Sequence, residues 1–239
     1  MNFVFDIDGT LCFDGKTIDR AIIEALTAIR TAGHDVIFAS ARPIRDLLPV
    51  IPAAFHNGKL VGGNGGFTSE NGAVNAISFH DTLRNELHTL IETYALTYLA
   101  DGHWDYAYTG QVEHPIYKNI DQSTAKNIPL HQLQHVCKLV LFNPPQAVIA
   151  ALAQLPVVVT LYRNEYAIDI SPLGINKVAG LTALNVHDFI AFGNDRNDQC
   201  LFEHATYSVC VGDHDVSRYA SHKIAKEDVA VTILQLLRT

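Results

Sequence analysis

The chain has 239 residues, of which 48% are hydrophobic and 18% charged, so it can bury a sizeable core in one large domain or two smaller ones. Its formal net charge of -8 argues against nucleic acid and anionic membranes as partners, because both are themselves negatively charged. No run of 18 apolar residues occurs, so we expect no membrane-spanning helix.

The first predicted element is a short buried strand, residues 3–5, which ends in Asp6 and Asp8 and is followed by Gly9 and Thr10. Side chains two positions apart on an extended chain share one side, so the two carboxylates are expected to meet. Such a pair is tolerated where a cation lies between the acids or where one of them takes up a proton. The alternative is a strand that ends in an ordinary Asp-Gly turn.

The next segments alternate between helix and strand. Apolar residues recur at helical spacing between Asp19, a candidate N-cap, and Gly33, a candidate helix end. A buried strand over 36–39, a short helix around Leu47 and a strand near 60–61 follow. Continuous apolar strands alternating with helices are typical of a parallel sheet that is covered on both faces.

A glycine-rich stretch at residues 62–66 interrupts this alternation. It lacks the Lys-Ser/Thr pair of a P-loop and the spacing of a dinucleotide-binding loop. A hairpin turn or a hinge is therefore the favoured interpretation, and a phosphate-binding loop is the alternative.

The middle of the chain has a different texture and predicts a separate α+β unit. Its predicted elements are a helix capped by Asp81, an aromatic and polar stretch over 98–117, strands over 138–142, 157–161 and 166–170, a helix over 145–155, and a turn at Arg163-Asn164. The aromatic stretch either packs in the core of this unit or contacts a ligand.

From Ser171 onward the first alternation resumes. The predicted elements are helices around 178–181, through 201 and over 229–237, and strands over 189–192 and 207–211. We therefore predict an α/β core with a Rossmann-like parallel sheet and helices on both faces, built from residues 1–79 and 171–239. An α+β domain over 80–170 is inserted into it.

Polar residues follow the predicted strands of this core, where parallel sheets bind their ligands. The Ser40 hydroxyl can donate to a phosphate oxygen and the Arg42 guanidinium can pair with an anion, although a helix N-cap and a loop arginine would look the same. Lys177 opens a predicted helix, where a cation opposes the helix dipole unless it meets an anion.

A carboxylate-rich loop at 193–198 follows the strand over 189–192. Carboxylate and amide oxygens suit a hard cation such as Mg²⁺. The alternative is a turn that caps the next helix.

Together these residues match the motifs of a known family in their order along the chain. The segment Asp6-Ile7-Asp8-Gly9-Thr10, Ser40, Lys177 and the loop at 193–198 correspond to its first, second, third and fourth motifs. Over its whole length the chain resembles the haloacid-dehalogenase-like (HAD) superfamily of phosphotransferases, and the inserted domain resembles the large cap of the Cof-type subgroup.

The resemblance implies roles for individual residues. Asp6 would be the nucleophile that forms an aspartyl-phosphate, and Asp8 would protonate the leaving alcohol and then activate water. Lys177 would neutralise charge on Asp6 and on the phosphoryl group. The implied phosphate-binding residues are Ser40, Lys177, Arg42 and Gly9.

The resemblance also implies a magnesium site, and here the chain departs from the family. The fourth motif usually begins Gly-Asp, and that aspartate binds the metal, but this chain has Asn194 at the position. We expect Mg²⁺ to be bound by Asp6, the Asp8 carbonyl, Asn194 and Asp198, with Asp195 as an alternative to Asp198. The amide removes one negative charge, so weaker metal binding is expected unless a neighbouring acid compensates.

The expected function is Mg²⁺-dependent hydrolysis of a small phosphorylated metabolite, with a sugar phosphate as the favoured substrate. A sugar phosphomutase and a non-catalytic sugar-phosphate binding protein are the alternatives, and Asn194 is the one feature that favours the last. The absence of any CxxC pair among four cysteines and the early acids Asp6 and Asp8, which exclude a signal peptide, suggest a cytoplasmic protein. The sequence predicts neither the exact substrate nor an oligomeric state.

Overall fold

A computed structural model describes residues 1–162 and 166–238. The chain divides into two compact units, Met1–Val74 with Asn176–Thr239 and Asn75–Ile175. The domain boundaries predicted from the sequence, after residues 79 and 170, remain a proposal. The predicted turn at Arg163-Asn164 lies outside the described residues.

Regular secondary structure occurs in both units. The strands are β1 (Asn2–Phe5), β2 (Asp35–Ala39), β3 (Leu60–Gly62), β4 (Phe67–Glu70), β5 (Ala73–Ala76), β6 (Thr97–Asp101), β7 (Tyr106–Tyr108), β8 (Lys138–Phe142), β9 (Val157–Tyr162), β10 (Ala167–Pro172), β11 (Phe189–Gly193), β12 (Tyr207–Val211) and β13 (His222–Ile224). The α-helices are α1 (Arg20–Thr31), α2 (Ile44–Leu47), α3 (Asp81–Thr93), α4 (Pro115–Lys118), α5 (Gln146–Leu152), α6 (Lys177–Ala183), α7 (Gln199–His204) and α8 (Val229–Leu236).

The first unit is organised around β1. Within the described residues its sheet has eight strands in the order β13-β12-β11-β1-β2-β3-β4-β5. The strands from β13 to β3 are parallel, and Phe5 at the end of β1 lies beside Phe38 and Phe192. Successive side chains point to opposite faces, and Phe3, Val4 and Phe5 are all fully buried, so both faces of β1 are covered. The predicted α/β core with a parallel sheet is confirmed.

The glycine-rich stretch forms the turn between β3 and β4, which pair antiparallel. Asn64 in this turn has a φ of 56° and Gly65 a φ of +110°. A Cβ atom at Gly65 would overlap the carbonyl oxygen of Asn176, the residue that precedes α6. Glycine is therefore required at residue 65 for two reasons, its positive φ and the close approach of the start of α6.

The second unit contains a separate antiparallel sheet. Among the residues that the structure describes, this sheet has five strands in the order β7-β6-β8-β10-β9. Leu87 and Ile91 of α3 and Val148 and Leu152 of α5 pack in a buried cluster with apolar residues of β8 and β10. The predicted α+β character of the inserted segment is confirmed.

Two of the predicted helix caps differ in the structure. His80, not Asp81, is the N-cap of α3, and its ring nitrogen accepts from the Thr82 N–H. Asp19 stands at the N-cap position of α1, but its side chain makes no capping hydrogen bond. The spacing of apolar residues in the sequence predicted both helices correctly. It did not identify the side chain that accepts from the free N–H groups of the first helical turn.

The aromatic stretch of the second unit packs in its core. It forms β6 and β7, and Tyr106 and Tyr108 lie in a buried cluster with Val140 and Phe142. The indole N–H of Trp104 donates to the Thr124 carbonyl at 3.0 Å. No helix in the described part of the chain is long and apolar enough to cross a membrane.

Candidate active site

The end of β1 leads into a tight loop that presents Asp6 and Asp8. The N–H of Asp6 still bonds the Phe192 carbonyl of β11 at 2.9 Å, and then the N–H groups of Leu11 and Cys12 turn back to the Ile7 carbonyl, each at 2.9 Å. Asp6 is 5% exposed, whereas the side chain of Asp8 is 46% exposed. The loop therefore presents one buried and one accessible carboxylate.

Gly9 makes this loop possible. Its φ is +81°, and a Cβ at this position would collide with the side chain of Asn194. Its N–H donates to the Cys12 carbonyl at 2.8 Å. The Gly9 amide thus closes the loop, and the missing side chain lets Asn194 pack against it, while the predicted role of Gly9 in phosphate binding stays a proposal.

Lys177 reaches the same point from the first residue of α6. Its Nζ lies 2.6 Å from Asp6 Oδ1 and 2.6 Å from Asp198 Oδ1, and the residue is fully buried. Asn176 caps the helix by accepting from the Ala179 N–H at 2.9 Å. A buried ammonium is costly unless it is paired with an opposite charge, and Lys177 is paired with two carboxylates.

Asp198 uses both of its oxygens inside the protein. Oδ1 accepts from Lys177, and Oδ2 accepts from the N–H groups of Asn194 and Asp195, at 2.9 and 3.1 Å. The residue is fully buried. Asp198 therefore binds Lys177 and stabilises the loop at 193–198. These contacts differ from the metal contact that the sequence predicts for it.

Asp195, the predicted alternative to Asp198 as a metal ligand, makes its side-chain contacts within its own loop. It is exposed, and its Oδ1 accepts from the Arg196 N–H at 2.7 Å as the N-cap of a short 3₁₀ turn.

Three oxygen atoms of the site face one another. Asn194 Oδ1 lies 3.0 Å from the Asp8 carbonyl oxygen and 3.2 Å from Asp6 Oδ2. The Thr10 hydroxyl, 3.1 Å from Asp6 Oδ2 and 3.0 Å from Asn194 Oδ1, is a donor that can serve only one of them at a time. Oxygens that face each other in this way repel unless a cation lies among them or the amide turns its nitrogen toward them.

These three oxygens fit a magnesium ion. Neighbouring ligands on an octahedral Mg²⁺ with bonds of about 2.0–2.1 Å stand roughly 3 Å apart, and Asn194 Oδ1 lies 3.0 and 3.2 Å from the other two oxygens. No group of three His, Cys, Asp or Glu side chains within the described residues is placed to hold a metal. The donor set that fits is instead one carboxylate, one backbone carbonyl and one amide, completed by water or substrate.

Arg42 binds Asp8. Its Nε lies 2.7 Å from Asp8 Oδ2 and its Nη2 lies 2.6 Å from Asp8 Oδ1, while Nη2 also donates to the Gly15 carbonyl at 2.8 Å. The sequence predicts that Arg42 binds phosphate, whereas in the structure two nitrogens of its guanidinium donate to the Asp8 carboxylate. Ser40, which is 1% exposed, lies beside this pair and accepts from the Arg42 N–H at 3.1 Å.

The charges around Asp6 alter its protonation. Burial, and then the neighbouring Asp198 carboxylate, raise the pKa of Asp6 to about 7, although Lys177 opposes both effects. Burial alone would lower the pKa of Lys177, but the carboxylates of Asp198 and Asp6 outweigh it and raise that pKa above its ordinary value. The centre thus holds an excess of negative charge that a divalent cation would offset.

Two further contacts of the site were not predicted. Thr10 belongs to the first motif, and its hydroxyl reaches both Asp6 and Asn194. Asn64 of the glycine-rich turn accepts from the Asn197 amide at 3.0 Å and so joins that turn to the loop at 193–198. Asn64 is the one residue at 62–66 that is not glycine, and asparagine tolerates a positive φ, so its place in the glycine run is the sequence signal that could have pointed to it.

Known proteins resemble this chain in sequence. The model of the haloacid dehalogenase-like hydrolase family matches residues 3–230. A phosphoglycolate phosphatase of Methanospirillum hungatei is 23% identical over 229 residues, covering 91% of this chain and 88% of its own.

Solved structures share the fold. A haloacid dehalogenase-like hydrolase from Bacteroides thetaiotaomicron superposes with a TM-score of 0.82 at 20% identity, covering 98% of both chains. The HAD subclass IIB sugar phosphatase BT4131 superposes with a TM-score of 0.76 at 17% identity, again over 98% of both.

The chain therefore belongs to the haloacid dehalogenase-like hydrolases. The predicted membership of the HAD superfamily is confirmed, and with it the prediction that the protein is a hydrolase.

Proposed function

We propose that the protein is a Mg²⁺-dependent phosphatase that hydrolyses a small phosphorylated metabolite through an aspartyl-phosphate on Asp6. The observation that carries the proposal is the convergence, at the end of β1, of the Asp6 carboxylate with the Lys177 ammonium on one oxygen and the Asp8 carbonyl and Asn194 amide near the other. One oxygen of Asp6 is thus neutralised by protein, and the other lies where a cation fits.

The proposed reaction has two halves. Asp6 attacks phosphorus, the bond to the leaving oxygen breaks, and Asp8 gives its proton to the leaving alcohol. Asp8 then accepts a proton from water, whose oxygen attacks phosphorus and releases Asp6 and inorganic phosphate. The accessibility of the Asp8 side chain, 46% exposed against 7% for that of Asp6, suits a group that exchanges protons with substrate and water.

Lys177 and Asp198 support the nucleophile. Nζ of Lys177 holds Asp6 Oδ1 at 2.6 Å and so fixes the orientation of the carboxylate. Asp198 fixes the lysine in turn, so we propose it as a positioning residue and not as a metal ligand. Ser40 stays the proposed donor to a phosphoryl oxygen, since among the described residues its hydroxyl oxygen accepts from the Arg42 N–H and its hydrogen has no acceptor.

The residues that would hold Mg²⁺ are Asp6, the Asp8 carbonyl and Asn194. When bound, the ion would shield the approach of one anion to another.

The class of substrate is proposed from the relatives. One acts on phosphoglycolate and one is named a sugar phosphatase, and both names describe small phosphorylated metabolites. We propose the same class for this chain, with a sugar phosphate as the first candidate.

Phosphate release from a panel of sugar phosphates, phosphoglycolate, nucleotides and phosphorylated cofactors tests the proposal. Each substrate is assayed with Mg²⁺ and with EDTA, and release is expected only with the metal. Isomerisation primed by a sugar bisphosphate with little release would favour a phosphomutase instead. Tight binding without either reaction would favour a binding protein.

Replacing Asn194 with aspartate is expected to tighten Mg²⁺ binding by about tenfold, or roughly 1.4 kcal/mol. The change puts a second carboxylate oxygen about 3.2 Å from Asp6 Oδ2. Like charges at that distance destabilise the metal-free protein, so its melting temperature should fall while the increase on adding Mg²⁺ becomes larger. Calorimetric titration with Mg²⁺ and thermal melts measure both, and an unchanged affinity would remove Asn194 from the proposed metal site.

A further inference from the structure

A turn outside the recognised motifs supports the Arg42–Asp8 pair. It spans residues 14–17 and is built around the Asp14 carboxylate, whose Oδ1 accepts from the N–H groups of Lys16 and Thr17 at 2.8 and 2.7 Å. Asp14 Oδ2 accepts from the Thr17 hydroxyl at 2.6 Å. The Cys12 thiol also donates to Asp14 Oδ1, at 3.4 Å, and these four donors on one carboxylate fix the backbone of the turn.

The turn presents a carbonyl to Arg42. Gly15 lies within it at a φ of +75°, and its carbonyl oxygen accepts from Arg42 Nη2 at 2.8 Å. The same Nη2 and the neighbouring Nε bind the two oxygens of Asp8. The Arg42 side chain is 9% exposed. Its guanidinium therefore has little room to move, and its described contacts are with the Gly15 carbonyl of the turn and with the Asp8 carboxylate.

We propose that Asp14 is a positioning residue, which acts through the Gly15 carbonyl and Arg42 to hold the Asp8 carboxylate in the orientation in which it accepts a proton from water. This inference rests on the proposed function, since it concerns the second half of that reaction. A carboxylate that accepts two guanidinium N–H groups is fixed in direction and retains its other lone pairs for an incoming proton.

The two half-reactions separate this role from a general structural one. With an aryl phosphate, whose leaving group departs without protonation, kcat/KM reports the transfer to Asp6 and needs no acid. Hydrolysis of the aspartyl-phosphate still needs Asp8 as base and then limits kcat. Asp14→Ala should therefore lower kcat about tenfold, in line with the sensitivity of catalysis to small misplacements. It should leave kcat/KM within about twofold and produce a burst of aryl alcohol.

The chain offers a matched control for the loss of such a turn. Asp121 in the second unit accepts from the N–H and hydroxyl of Ser123 at 3.0 and 2.5 Å and from the Thr124 hydroxyl at 2.8 Å. Asp121→Ala should change neither kinetic constant. Thr17→Val, a change of similar volume that removes the hydroxyl contact to Asp14 alone, should give a weaker form of the Asp14→Ala result.

A spectroscopic readout tests the contact without using activity. The Arg42 Nε–H proton signal, assigned by its loss in Arg42→Lys, should persist in Asp121→Ala and broaden or shift in Asp14→Ala. An unchanged signal would overturn the inference, as would an equal fall in kcat and kcat/KM without a burst. If the wild-type protein releases no phosphate from any substrate, the proposed function is wrong, and the Arg42 signal still decides whether Asp14 holds Arg42.

Discussion

Asp6→Asn is expected to lower kcat by about 10⁴-fold or more for every substrate that the wild-type protein hydrolyses. The amide has the volume of the carboxylate but cannot attack phosphorus, so no aspartyl-phosphate forms. Lys177 keeps its second partner, since Asp198 Oδ1 also lies 2.6 Å from its Nζ. The variant should therefore fold, and circular dichroism with a thermal melt checks this beside the phosphate assay.

The same substitution at Asp35 is the matched control for Asp6→Asn. Asp35 is exposed and opens β2 beside Asn2, at the opposite end of the parallel strands from Asp6. Asp35→Asn should keep wild-type activity. Phosphatase activity retained in folded Asp6→Asn would remove Asp6 as the nucleophile.

Lys177→Met is expected to destabilise the protein by about 3–5 kcal/mol, the usual cost of removing one partner from a buried ion pair. The substitution leaves the carboxylates of Asp6 and Asp198 buried, near each other and without their shared cation. A loss of this size corresponds to a fall in melting temperature of roughly 10 °C in a chain of this length. Activity should fall with it, because the nucleophile loses its fixed orientation.

The double variant Lys177→Met/Asp198→Asn separates stability from catalysis. Neutralising Asp198 removes one of the two charges that Lys177 compensates, and the amide can still accept from the Asn194 and Asp195 N–H groups. The double variant should recover part of the lost melting temperature without recovering activity. Equal melting temperatures for Lys177→Met and the wild-type protein would contradict the pairing described here.

The sequence located the features that follow from local pattern. Continuous apolar runs at 3–5, 36–39 and 189–192 predict buried parallel strands, and β1, β2 and β11 lie there. Because the carboxyl ends of parallel strands meet at one edge, the sequence alone predicts that Asp6, Ser40 and Asn194 lie together.

Side-chain partners could not be predicted in the same way. Arg42 could bind a phosphate or a carboxylate equally well by its chemistry, and in the structure it binds Asp8, which lies 34 positions away in sequence. In the sequence, Asp198 resembles a metal ligand because it lies in a carboxylate-rich loop. In the structure one of its oxygens accepts from the buried Lys177 ammonium, and the other accepts from two backbone N–H groups. Such choices depend on tertiary contacts that no residue pattern records.

Two strands of the second unit, β6 and β7, were obscured by their composition. Residues 97–108 mix aromatic, acidic and glycine residues, so the alternation of β6 and β7 is weak in the sequence. β7 pairs with β6, and β6 pairs with β8. Tyr106 and Tyr108 are buried by the cluster that they form with residues of β8, a tertiary contact that local propensity does not record.

Rapid acid quench of Asp8→Asn with an aryl phosphate and Mg²⁺, followed by peptide mass spectrometry, tests the central claim most directly. This variant lacks the base for the second half-reaction, so the phosphoryl group should accumulate on the peptide that contains Asp6. The adduct should be absent from Asp6→Asn/Asp8→Asn. A phosphoryl group on any other residue, or aryl alcohol released at the wild-type rate with no adduct, would contradict catalysis through Asp6.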